Sequence, residues 1–459
     1  MGLFKNKKRE VQDDIISSDN GNQNYQATTS GSSKNNNRLN NKQATTWDEY
    51  IKLHKEYYKG LELKPPLIML GKEAYIEDNA ANHDGNSFIF DGNLRCADIS
   101  VILPHILHSK GNKVIVDPFG HYYEKSKDIL TRYGYDVEVM DIGGDNITDH
   151  GVKFNIFDIL RKDALSRLEY DRDSFIGHID RYLESIVQYD EEDDPYYIKN
   201  EVMLLEAIFI YLMETEPDKD WTLYDVYECL EGVKKEGFEE FHKKFEVLEG
   251  KKYQSYWYYM ESCYKLRNFP DKFDTVISMA IYDIKLVLDT GVIAGAEDCS
   301  RLSFDSYNEA GKQKALFIIP AAGRYGIMNE RKNVIIGMII NSFCISRYGF
   351  HGVSFPAMHI IMDTANAYDV PNLEKLLAVD RPFAINFMIC IDDYEYGQYK
   401  PDYEHWKPCL FNCYGIVFLQ PKECPFLKEI APALDFDGLG DEEMILLMDG
   451  YYIKDYRKR

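Results

Sequence analysis

Residues Asn86–Pro104 read NSFIFDGNLRCADISVILP, and the pattern of this stretch decides the fold. Ser87–Phe90 is apolar and of strand type, Asp91–Asn93 is a turn, and Ala97–Leu107 has the spacing of a helix. Strand, turn and helix in this order form the frame of a phosphate-binding loop, whose working version reads G-x-x-x-x-G-K-[ST]. That signature is missing here, and the frame instead holds Gly92, Leu94, Arg95, Cys96, Ala97 and Asp98.

Further strands follow along the chain, and their order indicates the kind of sheet to which this frame belongs. Lys113–Val116 is an apolar strand that ends in Asp117, and Asp136–Met140 is a third strand after a predicted helix. Far downstream, His359–Met362 is a strand that ends in Asp363. Strands that alternate with helices predict a parallel sheet. The remaining motifs are Phe154-Asn155-Ile156-Phe157, Val370-Pro371-Asn372-Leu373, Arg381, the strand Ile385–Ile391, and Phe411-Asn412-Cys413.

This order of motifs resembles the TraG/TraD family of coupling proteins, the ATPases of conjugative DNA transfer and type IV secretion. Members of that family carry G-x-G-S-G-K-T with a proline seven residues after the lysine, then T-D-P-K-G-E, a Gly-Tyr-x-Val strand and N-P-F. They continue with D-E-F-A-N, I-P-x-F-x-x-L-L, R-S-R-G-I, a sensor glutamine and L-x-N-C. The resemblance extends from about Leu67 to Tyr456. It implies a RecA-like P-loop NTPase core with a parallel sheet and an inserted all-α domain.

The resemblance also assigns the positions of a nucleotide site, and most of its groups have changed. Counting back from Pro104 places Ala97 at the P-loop lysine and Asp98 at the P-loop threonine. Asp117 and Asp363 match the aspartates of the D-P-K-G-E and D-E-F-A-N motifs. The other matched positions are Thr364 at the Walker B glutamate, Arg381 and Phe383 at the two arginines of R-S-R, and Asp392 at the sensor glutamine.

These substitutions predict a dead nucleotide site. Ala97 supplies neither the charge nor the hydrogen bond of the P-loop lysine. Asp98 places an anion where a phosphate would sit, and two like charges at ~4 Å repel by about 4 kcal/mol at an effective dielectric of ~20. Thr364 is not a carboxylate that orients water, and Phe383 removes a possible arginine finger. We therefore predict no ATP hydrolysis, no catalytic residue and no cofactor, with Asp363 capping the turn after its strand.

The chain divides into four predicted segments. Residues 1–45 are rich in Asn, Ser, Thr, Gln and Lys and predict a disordered arm. Residues 46–160 form the first part of the RecA-like α/β core and open with a short amphipathic helix at Thr46–Gly60. Residues 161–287 form the inserted all-α domain, and residues 288–459 form the second part of the core. A hairpin of Glu443–Met448 and Tyr451–Tyr456 is expected to end the chain.

The helical segment carries the candidate partner site. Four helices are predicted, at Tyr170–Tyr189, Tyr196–Glu214, Thr222–Glu231 and Glu236–Met260. An aromatic stripe on the last of these has helical spacing, which favours core packing over a platform for stacking bases. In the resembling family this domain takes part in cargo recognition. The acidic run before Pro195 is either a solvated turn or a docking site for a basic partner, with Glu191, Glu192 and Asp193 as the candidate contacts.

Composition and charge limit the remaining functions. The chain has 459 residues, 45% of them hydrophobic, and a formal net charge of -23. Phosphate neutralisation needs Lys and Arg, so this charge makes direct DNA binding the least attractive hypothesis, although a local basic lining remains an alternative. The charge favours basic protein partners instead. His105 and His108 are spaced i, i+3 but lack a carboxylate partner, and no C-x-x-C occurs among the 9 cysteines, so we predict no metal site.

The sequence predicts a cytoplasmic protein with no transmembrane helix. The longest apolar runs, Val202–Met213 and Val334–Ile345, are too short to cross a bilayer. An odd number of cysteines without a signal peptide fits a reducing compartment. The basic start, Lys5 to Arg9, is either a solvated tail or a weak electrostatic tether that would place the protein at the inner face of the membrane.

Together these features predict a coupling-protein-like component of a conjugative or type IV secretion system. The expected role is that of a non-hydrolysing adaptor or structural paralogue, which binds secretion or relaxosome proteins, a membrane-bound coupling protein, or further copies as an oligomer. The first alternative is a residual ATPase of DNA transfer that binds ATP and Mg²⁺ through the altered loop around Gly92. The second is a DNA-binding module that has lost its motor, which would show a salt-dependent affinity for DNA.

Overall fold

The structure is a computed structural model of the chain. It describes the backbone of residues 45–46, 67–69, 75–77 and 88–91, and then residues 101–142, 151–160, 179–180, 182–183, 185–187, 194–249, 254–261, 263–298, 300–320, 330–347, 355–363, 370, 373–379, 383–391, 408–409, 413, 415–419, 425–432, 434–440, 443–448 and 451–456.

Twelve strands lie within these described residues. They are β1 (Thr45–Thr46), β2 (Leu67–Met69), β3 (Tyr75–Glu77), β4 (Phe88–Asp91), β5 (Asn112–Val116), β6 (Asp136–Asp141), β7 (Lys314–Ile319), β8 (Met358–Met362), β9 (Ile385–Ile391), β10 (Gly415–Phe418), β11 (Glu443–Met448) and β12 (Tyr451–Tyr456). Ten of them form one sheet in the order β1-β12-β11-β10-β4-β9-β8-β5-β7-β6, and β2 pairs with β3 in a separate two-stranded sheet.

The centre of the large sheet is parallel, as predicted. Every pair from β10 through β4, β9, β8, β5 and β7 to β6 is parallel. The hairpin of β11 and β12 adds two antiparallel strands beside β10, and β1 runs parallel to β12 at the edge. β5, β7 and β8 read NKVIV, KALFII and MHIIM and are buried along their whole length. Such continuous apolar strands are typical of a parallel sheet covered on both faces.

Eleven α-helices have both ends within the described residues, and residues 157–160 are helical as well. The eleven helices are α1 (Leu103–His108), α2 (His121–Arg132), α3 (Pro195–Thr215), α4 (Leu223–Glu236), α5 (Phe238–Glu246), α6 (Gln254–Glu261), α7 (Cys263–Leu266), α8 (Pro270–Leu288), α9 (Glu330–Ile345), α10 (Leu373–Val379) and α11 (Pro425–Ile430), with a short 3₁₀ turn at Phe304–Tyr307. Among these helices, none has the length and apolar character needed to cross a bilayer.

Alternate residues of the central strands feed two hydrophobic cores. Val114 and Val116 of β5 pack into one core, whereas Ile115 between them packs into the other. The core around Ile115 also contains residues of α1 and α2, so these helices cover one face of the sheet. The core on the opposite face continues through α9 into α3 and α8 of the helical block. The sheet and the helical block therefore share buried apolar surface, the main source of folding free energy.

The sequence explains where the helices of the block begin and end. The Asp194 side chain accepts a hydrogen bond of 2.9 Å from the backbone N–H of Tyr196 and caps α3, whose first residue is Pro195. The side chains of Thr222 and Asp225 form a capping box at the start of α4. Gly237, at φ 82°, stops α4 and allows α5 to begin in a new direction.

Three helix predictions differ from the structure. The predicted single helix Glu236–Met260 is two helices, α5 and α6, and Trp257 of its aromatic stripe is 65% exposed rather than part of the core. α8 lies inside the predicted all-α segment except for its last residue, and it was not anticipated as an element. The region predicted as Tyr170–Tyr189 lies mostly outside the described residues.

The amino-terminal boundary also differs. Thr45 was assigned to the arm and Thr46 to a helix start, but both form β1 and pair with Ile453 and Lys454. Two threonines in sequence favour an extended backbone, because β-branched side chains restrict rotation at χ1. By contrast, the strand predictions for β9, β11 and β12 match the observed bounds.

The chain leaves and rejoins the core through two adjacent segments. Phe154 forms a β-bridge with Ile293, and Lys153 forms one with Arg301. Phe154 is fully buried, and its ring lies 6.0 Å from that of Phe304 in an edge-on contact. The helical block lies between these two segments in sequence, which is how we expect an inserted domain to be connected.

Candidate functional site

Two aspartates lie side by side at the carboxyl edge of the sheet. Val116 and Met362 are partners in the β5–β8 ladder, and Asp117 and Asp363 are the residues that follow them. The backbone N–H of Asp363 donates to the carbonyl of Val116 at 3.4 Å. Ligands of open α/β sheets bind at this edge, outside the carboxyl ends of the strands. The sequence correctly placed both aspartates at strand ends.

The Asp363 carboxylate is bound to a tyrosine of the chain itself. The Tyr122 hydroxyl donates to Oδ2 of Asp363 at 2.8 Å. Tyr122 is fully buried and Asp363 is 1% exposed. The tyrosine hydroxyl therefore engages one of the two oxygens of this carboxylate. This contact was not anticipated from the sequence.

Asp117 has a structural partner as well. Its Oδ2 accepts a hydrogen bond of 2.9 Å from the backbone N–H of Tyr123 in the first turn of α2. Gly120, which precedes α2, has no side chain to cap the helix. Asp117 thus caps α2 from three residues upstream of that glycine. A negative charge at this place interacts favourably with the positive end of the helix dipole.

Burial and hydrogen bonding shift the pKa of Asp117 in opposite directions. Burial raises the pKa of this carboxyl, while the hydrogen bond from Tyr123 and the charge of His121 counteract part of the rise. Among the described residues, its second oxygen, Oδ1, has no hydrogen-bond partner. A carboxyl enclosed in this way is suited to holding a loop rather than to exchanging ligands with solvent.

The strand of the phosphate-loop frame belongs to the same sheet as Asp363. β4 ends at Asp91, and β9 alone separates it from β8 in the parallel sheet. Two strand spacings amount to about 10 Å, which is a suitable distance for one ligand to touch both strand ends. The prediction that these strands share one parallel sheet is confirmed. Three loop positions, Gly92, Ala97 and Asp98, lie outside the described residues.

Several other predicted site residues also lie outside the described part of the chain. They are Thr364, Arg381 and Asp392 of the nucleotide site, and Glu191, Glu192 and Asp193 of the acidic run. Their assigned roles stay predictions. Phe383, at the second arginine position, is described and is partly buried against the main core.

The loop around Phe383 is held by an arginine that the sequence did not reveal. Arg347 is fully buried, and its Nη1 donates to the carbonyls of Phe383 at 2.8 Å and Ala384 at 3.1 Å. Its Nε donates to Oδ1 of Asn308 at 2.9 Å. Ala384 has a φ of 56°, which is unusual for a residue other than glycine. In the R-S-R-G-I motif of the resembling family, a glycine stands at this position.

The two histidines of α1 have different environments. His105 is buried, and its Nε2 lies 3.2 Å from Nδ1 of His359 on β8. Nε2 of His359 lies 2.7 Å from the carbonyl of Lys110, which can only accept, so a neutral His359 donates there and accepts from His105. His108 is exposed. Within the described residues no three His, Cys, Asp or Glu side chains cluster as metal ligands, and the His pair has a packing role.

Comparison with known proteins identifies the fold. The chain is similar to solved structures of TrwB, a bacterial conjugative coupling protein. The unbound monoclinic form matches with a TM-score of 0.56 and 12% identity over 89% of this chain and 91% of that chain. The complex with ADP and Mg²⁺ matches with a TM-score of 0.56 and 11% identity over 90% and 93%. The complex with the ATP analogue ADPNP matches with a TM-score of 0.55 and 12% identity over 90% and 92%.

This similarity lies in the fold and not in the sequence. No protein-family model and no curated protein matches the chain. At 11–12% identity the comparison establishes that the chain has the fold of a conjugative coupling protein over nearly its full length. The predicted fold class, a P-loop NTPase-like α/β fold with a parallel sheet, is thereby confirmed.

Proposed function

We propose that this chain is a coupling-protein-like component of a conjugative or type IV secretion system, and that it works as a non-hydrolysing adaptor or structural subunit. The observation that carries the proposal is the hydrogen bond from Tyr122 to the Asp363 carboxylate. It supports a site in which a buried protein hydroxyl takes the place of a metal-bound water. The coupling-protein fold over 89% of the chain supports the secretion context.

The same contact between Tyr122 and Asp363 makes this chain a poor binding site for Mg²⁺ and nucleotide. In P-loop enzymes, Mg²⁺ is held by the P-loop hydroxyl and the Walker B aspartate. Asp98 stands at the hydroxyl position in the sequence, and Oδ2 of Asp363 is engaged by Tyr122. If Mg²⁺ displaced Tyr122, its buried hydroxyl would lose its hydrogen-bond partner, at a cost of about 1–3 kcal/mol. We therefore expect no cofactor and no catalytic residue.

The decisive experiment measures phosphate release from ATP with the purified full chain, in the presence of Mg²⁺. We expect no turnover above the buffer background, and no change on Asp363→Ala. Turnover that disappears in the Asp363→Ala variant would overturn the proposal, because it would require a working Walker B carboxylate. Asp437→Ala, at an exposed residue of a core loop, is the matched control for an aspartate removed elsewhere.

The second candidate is a residual nucleotide-binding protein. TrwB, which shares the fold, has been solved with ADP and Mg²⁺, and this observation favours the candidate. A ligand at 100 times its Kd stabilises a protein by about 2.7 kcal/mol, which a thermal shift detects readily. We expect the melting temperature to stay constant when ADPNP and Mg²⁺ are added. A saturable rise would select this second candidate.

As an adaptor, the chain is proposed to bind proteins of the secretion machine or relaxosome, including a membrane-bound coupling protein, on the cytoplasmic side. The acidic run of Glu191, Glu192 and Asp193 is the candidate contact from the sequence. Charge reversal of Glu191 and Glu192 to Lys, followed by a pull-down from the host at low salt, tests it. If every partner is recovered in unchanged yield, the run is only a solvated turn.

A further inference from the structure

The end of the helical block where α3 and α8 begin presents aromatic rings together with basic side chains. We call it the basic aromatic corner and define it by six residues, which are Tyr196 on α3, Tyr264 and Lys265 on α7, Arg267 and Phe269 in the turn before α8, and Lys272 on α8. Phe269 is 52% exposed and Tyr196 is 38% exposed. Exposed aromatic rings are among the residues that most often anchor a protein interface.

Contacts between cations and rings hold the corner together. Nζ of Lys272 lies 4.3 Å from the ring centre of Tyr196 and 5.5 Å from that of Phe269, so this lysine joins the starts of α3 and α8. Cζ of Arg267 lies 4.2 Å from the ring centre of Tyr264, and its Nη1 donates to the Tyr264 hydroxyl. A long cationic side chain that is already packed over a ring loses less entropy when a partner binds.

The cations of the corner are not neutralised by acidic side chains. Within the described part of the chain, Lys265, Arg267 and Lys272 form no ion pair. Lys265 and Arg267 are exposed, and Lys272 is partly buried. Asp271, in the first turn of α8, offsets one of these three charges in the same short stretch. The corner therefore keeps an excess of positive charge in a chain whose net charge is -23.

An acidic run directly precedes this corner in the sequence. Residues 190–194 read Asp-Glu-Glu-Asp-Asp and end next to Pro195, the first residue of α3. Asp193 is three residues from Tyr196, so the covalent chain keeps their Cα atoms within about 11 Å. A surface that carries opposite charges side by side is complementary to a copy of itself after a two-fold rotation, because the acidic run of each copy then meets the cations of the other.

A two-fold contact also covers the exposed rings. The run at 190–194 contains no apolar residue, so pairing within one chain would neutralise the cations but leave Tyr196 and Phe269 in water. Nucleic acid would be repelled by the acidic run beside the cations and by the net charge of -23. Tyr196 lies between the acidic run and Lys272, so a two-fold axis that joins unlike charges brings the rings of both copies together.

We propose that the basic aromatic corner docks the acidic run, residues 190–193, of a second copy of this chain, and that two such contacts form a two-fold dimer. Arg267 and Lys272 of each copy pair with the run of the other copy, and the rings of Phe269 and Tyr196 supply the apolar part of the interface. This inference goes beyond the proposed function, since self-association requires neither ATP turnover nor a host protein. A host partner lost in the pull-down while the dimer persists separates the two uses of the acidic run.

Sedimentation velocity of the purified full chain measures the dimer. At about 50 mM salt we expect a concentration-dependent dimer, whose affinity falls at least about tenfold at about 500 mM salt because exposed charges are then screened. Glu191→Lys/Glu192→Lys and Arg267→Glu/Lys272→Glu should each weaken the dimer at least about tenfold, since like charges then meet in both contacts. An equimolar mixture of these two variants should restore the affinity to within about threefold of the parent, because unlike charges meet again in both contacts.

The matched control is Glu124→Lys/Asp128→Lys, which reverses the same number of charges at exposed residues of α2 in the core. It should leave the dimer affinity within about twofold of the parent. Restoration in the mixture also shows that both reversal variants are folded. If Arg267→Glu/Lys272→Glu melts below the parent, Arg267→Gln/Lys272→Gln removes the charges without reversing them and should still weaken the dimer about threefold or more.

Four results would overturn the proposal. They are a parent chain that stays monomeric at about 50 mM salt, a dimer that neither reversal weakens, an equal loss in the α2 control, and a mixture of the two variants that stays monomeric although both melt at the parent temperature. The last result would assign the acidic run to the corner of its own chain. Binding of a labelled single-stranded DNA that is lost in Arg267→Glu/Lys272→Glu would assign the corner to nucleic acid and would refute it as well.

Discussion

At the scale of single residues, Ala384 shows why a motif position can matter even when its usual residue is absent. Its backbone lies in the left-handed region at φ 56°, and Arg347 holds its carbonyl. L-residues pay about 1–2 kcal/mol in this region, whereas glycine adopts it freely. The motif of the resembling family has glycine there, a residue that adopts this backbone conformation without strain.

Ala384→Gly is therefore expected to stabilise the protein by about 0.5–1 kcal/mol, because the relief of strain exceeds the greater backbone entropy of glycine in the unfolded state. Urea unfolding with a constant m-value measures the change. Ala384→Val serves as the opposite variant, and it should destabilise, because a β-branched side chain tolerates positive φ poorly. A loss of stability with glycine would contradict the assigned strain.

The hydrogen bond between Tyr122 and Asp363 leads to a second prediction about single residues. Tyr122→Phe removes a donor from a buried carboxylate and should destabilise the fold by about 1–3 kcal/mol. A double-mutant cycle with Asp363→Ala, which removes the acceptor, should give a coupling energy of about 1–2 kcal/mol between the two side chains. Tyr123→Phe is the control, because its partly buried ring packs on Phe317, and it should cost less than about 0.5 kcal/mol. A coupling energy near zero would refute the bond.

At the scale of elements, helix α3 is unusual because it buries two carboxyl groups. Glu201 is fully buried, and within the described chain neither of its oxygens accepts a hydrogen bond from a donor. Burial raises the pKa of Glu201 to about 9, and the neighbouring carboxyl of Asp283 on α8 adds to the rise. Glu206 behaves in the same way beside Asp180, with burial again the larger cause of its raised pKa. Two carboxyls in contact cannot both be ionised, so each pair retains a proton at neutral pH.

The sign of the pH dependence follows from these raised values. The folded state keeps the proton of Glu201 up to about pH 9, whereas the unfolded chain releases it near pH 4.5, so the contribution of this group is complete below pH 4.5 and is lost as the pH rises toward 9. Stability should therefore fall between pH 5 and pH 9. Glu201→Gln should flatten this slope and raise the melting temperature at pH 8.

The control for that experiment is Glu239→Gln, at an exposed residue of α5 that should leave the pH profile unchanged. If Glu201→Gln instead destabilises the protein at pH 8 and leaves the slope intact, Glu201 is ionised in the fold and has a cationic partner. Chemical denaturation across the pH range gives both quantities from one series.

At the scale of the whole molecule, an ion-pair group joins the core to the helical block. Nη1 of Arg301 lies 3.0 Å from Asp220, just before α4, and 3.6 Å from Asp158, where the chain leaves the core. Its Nη2 donates to the carbonyl of Gly295 at 2.7 Å. One arginine thus touches three segments that are distant in sequence. Arg301 bonds to a backbone carbonyl and to partly exposed carboxylates. Together these bonds contribute more to the free energy of unfolding than an isolated surface ion pair does.

Arg301→Leu should destabilise the protein by about 1–2 kcal/mol, since the carbonyl of Gly295 and the nearby carboxylates lose their donor. It should also increase cleavage between the core and the helical block in limited proteolysis. Lys312→Leu, which breaks an exposed pair with Glu309, is the matched control and should cost less than about 0.5 kcal/mol. Equal effects of the two variants would argue against a joining role.

The sheet was predictable because its strands are short apolar runs with strand-end aspartates, and these signals are local. Tyr122 and Asp363 are 241 positions apart, and nothing local in either segment indicates that they meet. The division of the predicted helix Glu236–Met260 was missed because its aromatic periodicity continues across the break, although Gly250 marked the point of weakness.

The two edges of the large sheet have a consequence for behaviour at high concentration. An unpaired edge strand is a template on which another chain can add a strand and begin to aggregate. At one edge, β1 covers β12, and at the other β6 carries Asp136, Glu138 and Asp141 while Val152 bonds to the carbonyl of Val139. A chain shortened to begin after Thr46 would uncover the edge of β12, so a strand of only two residues protects this edge of the sheet against the addition of another chain.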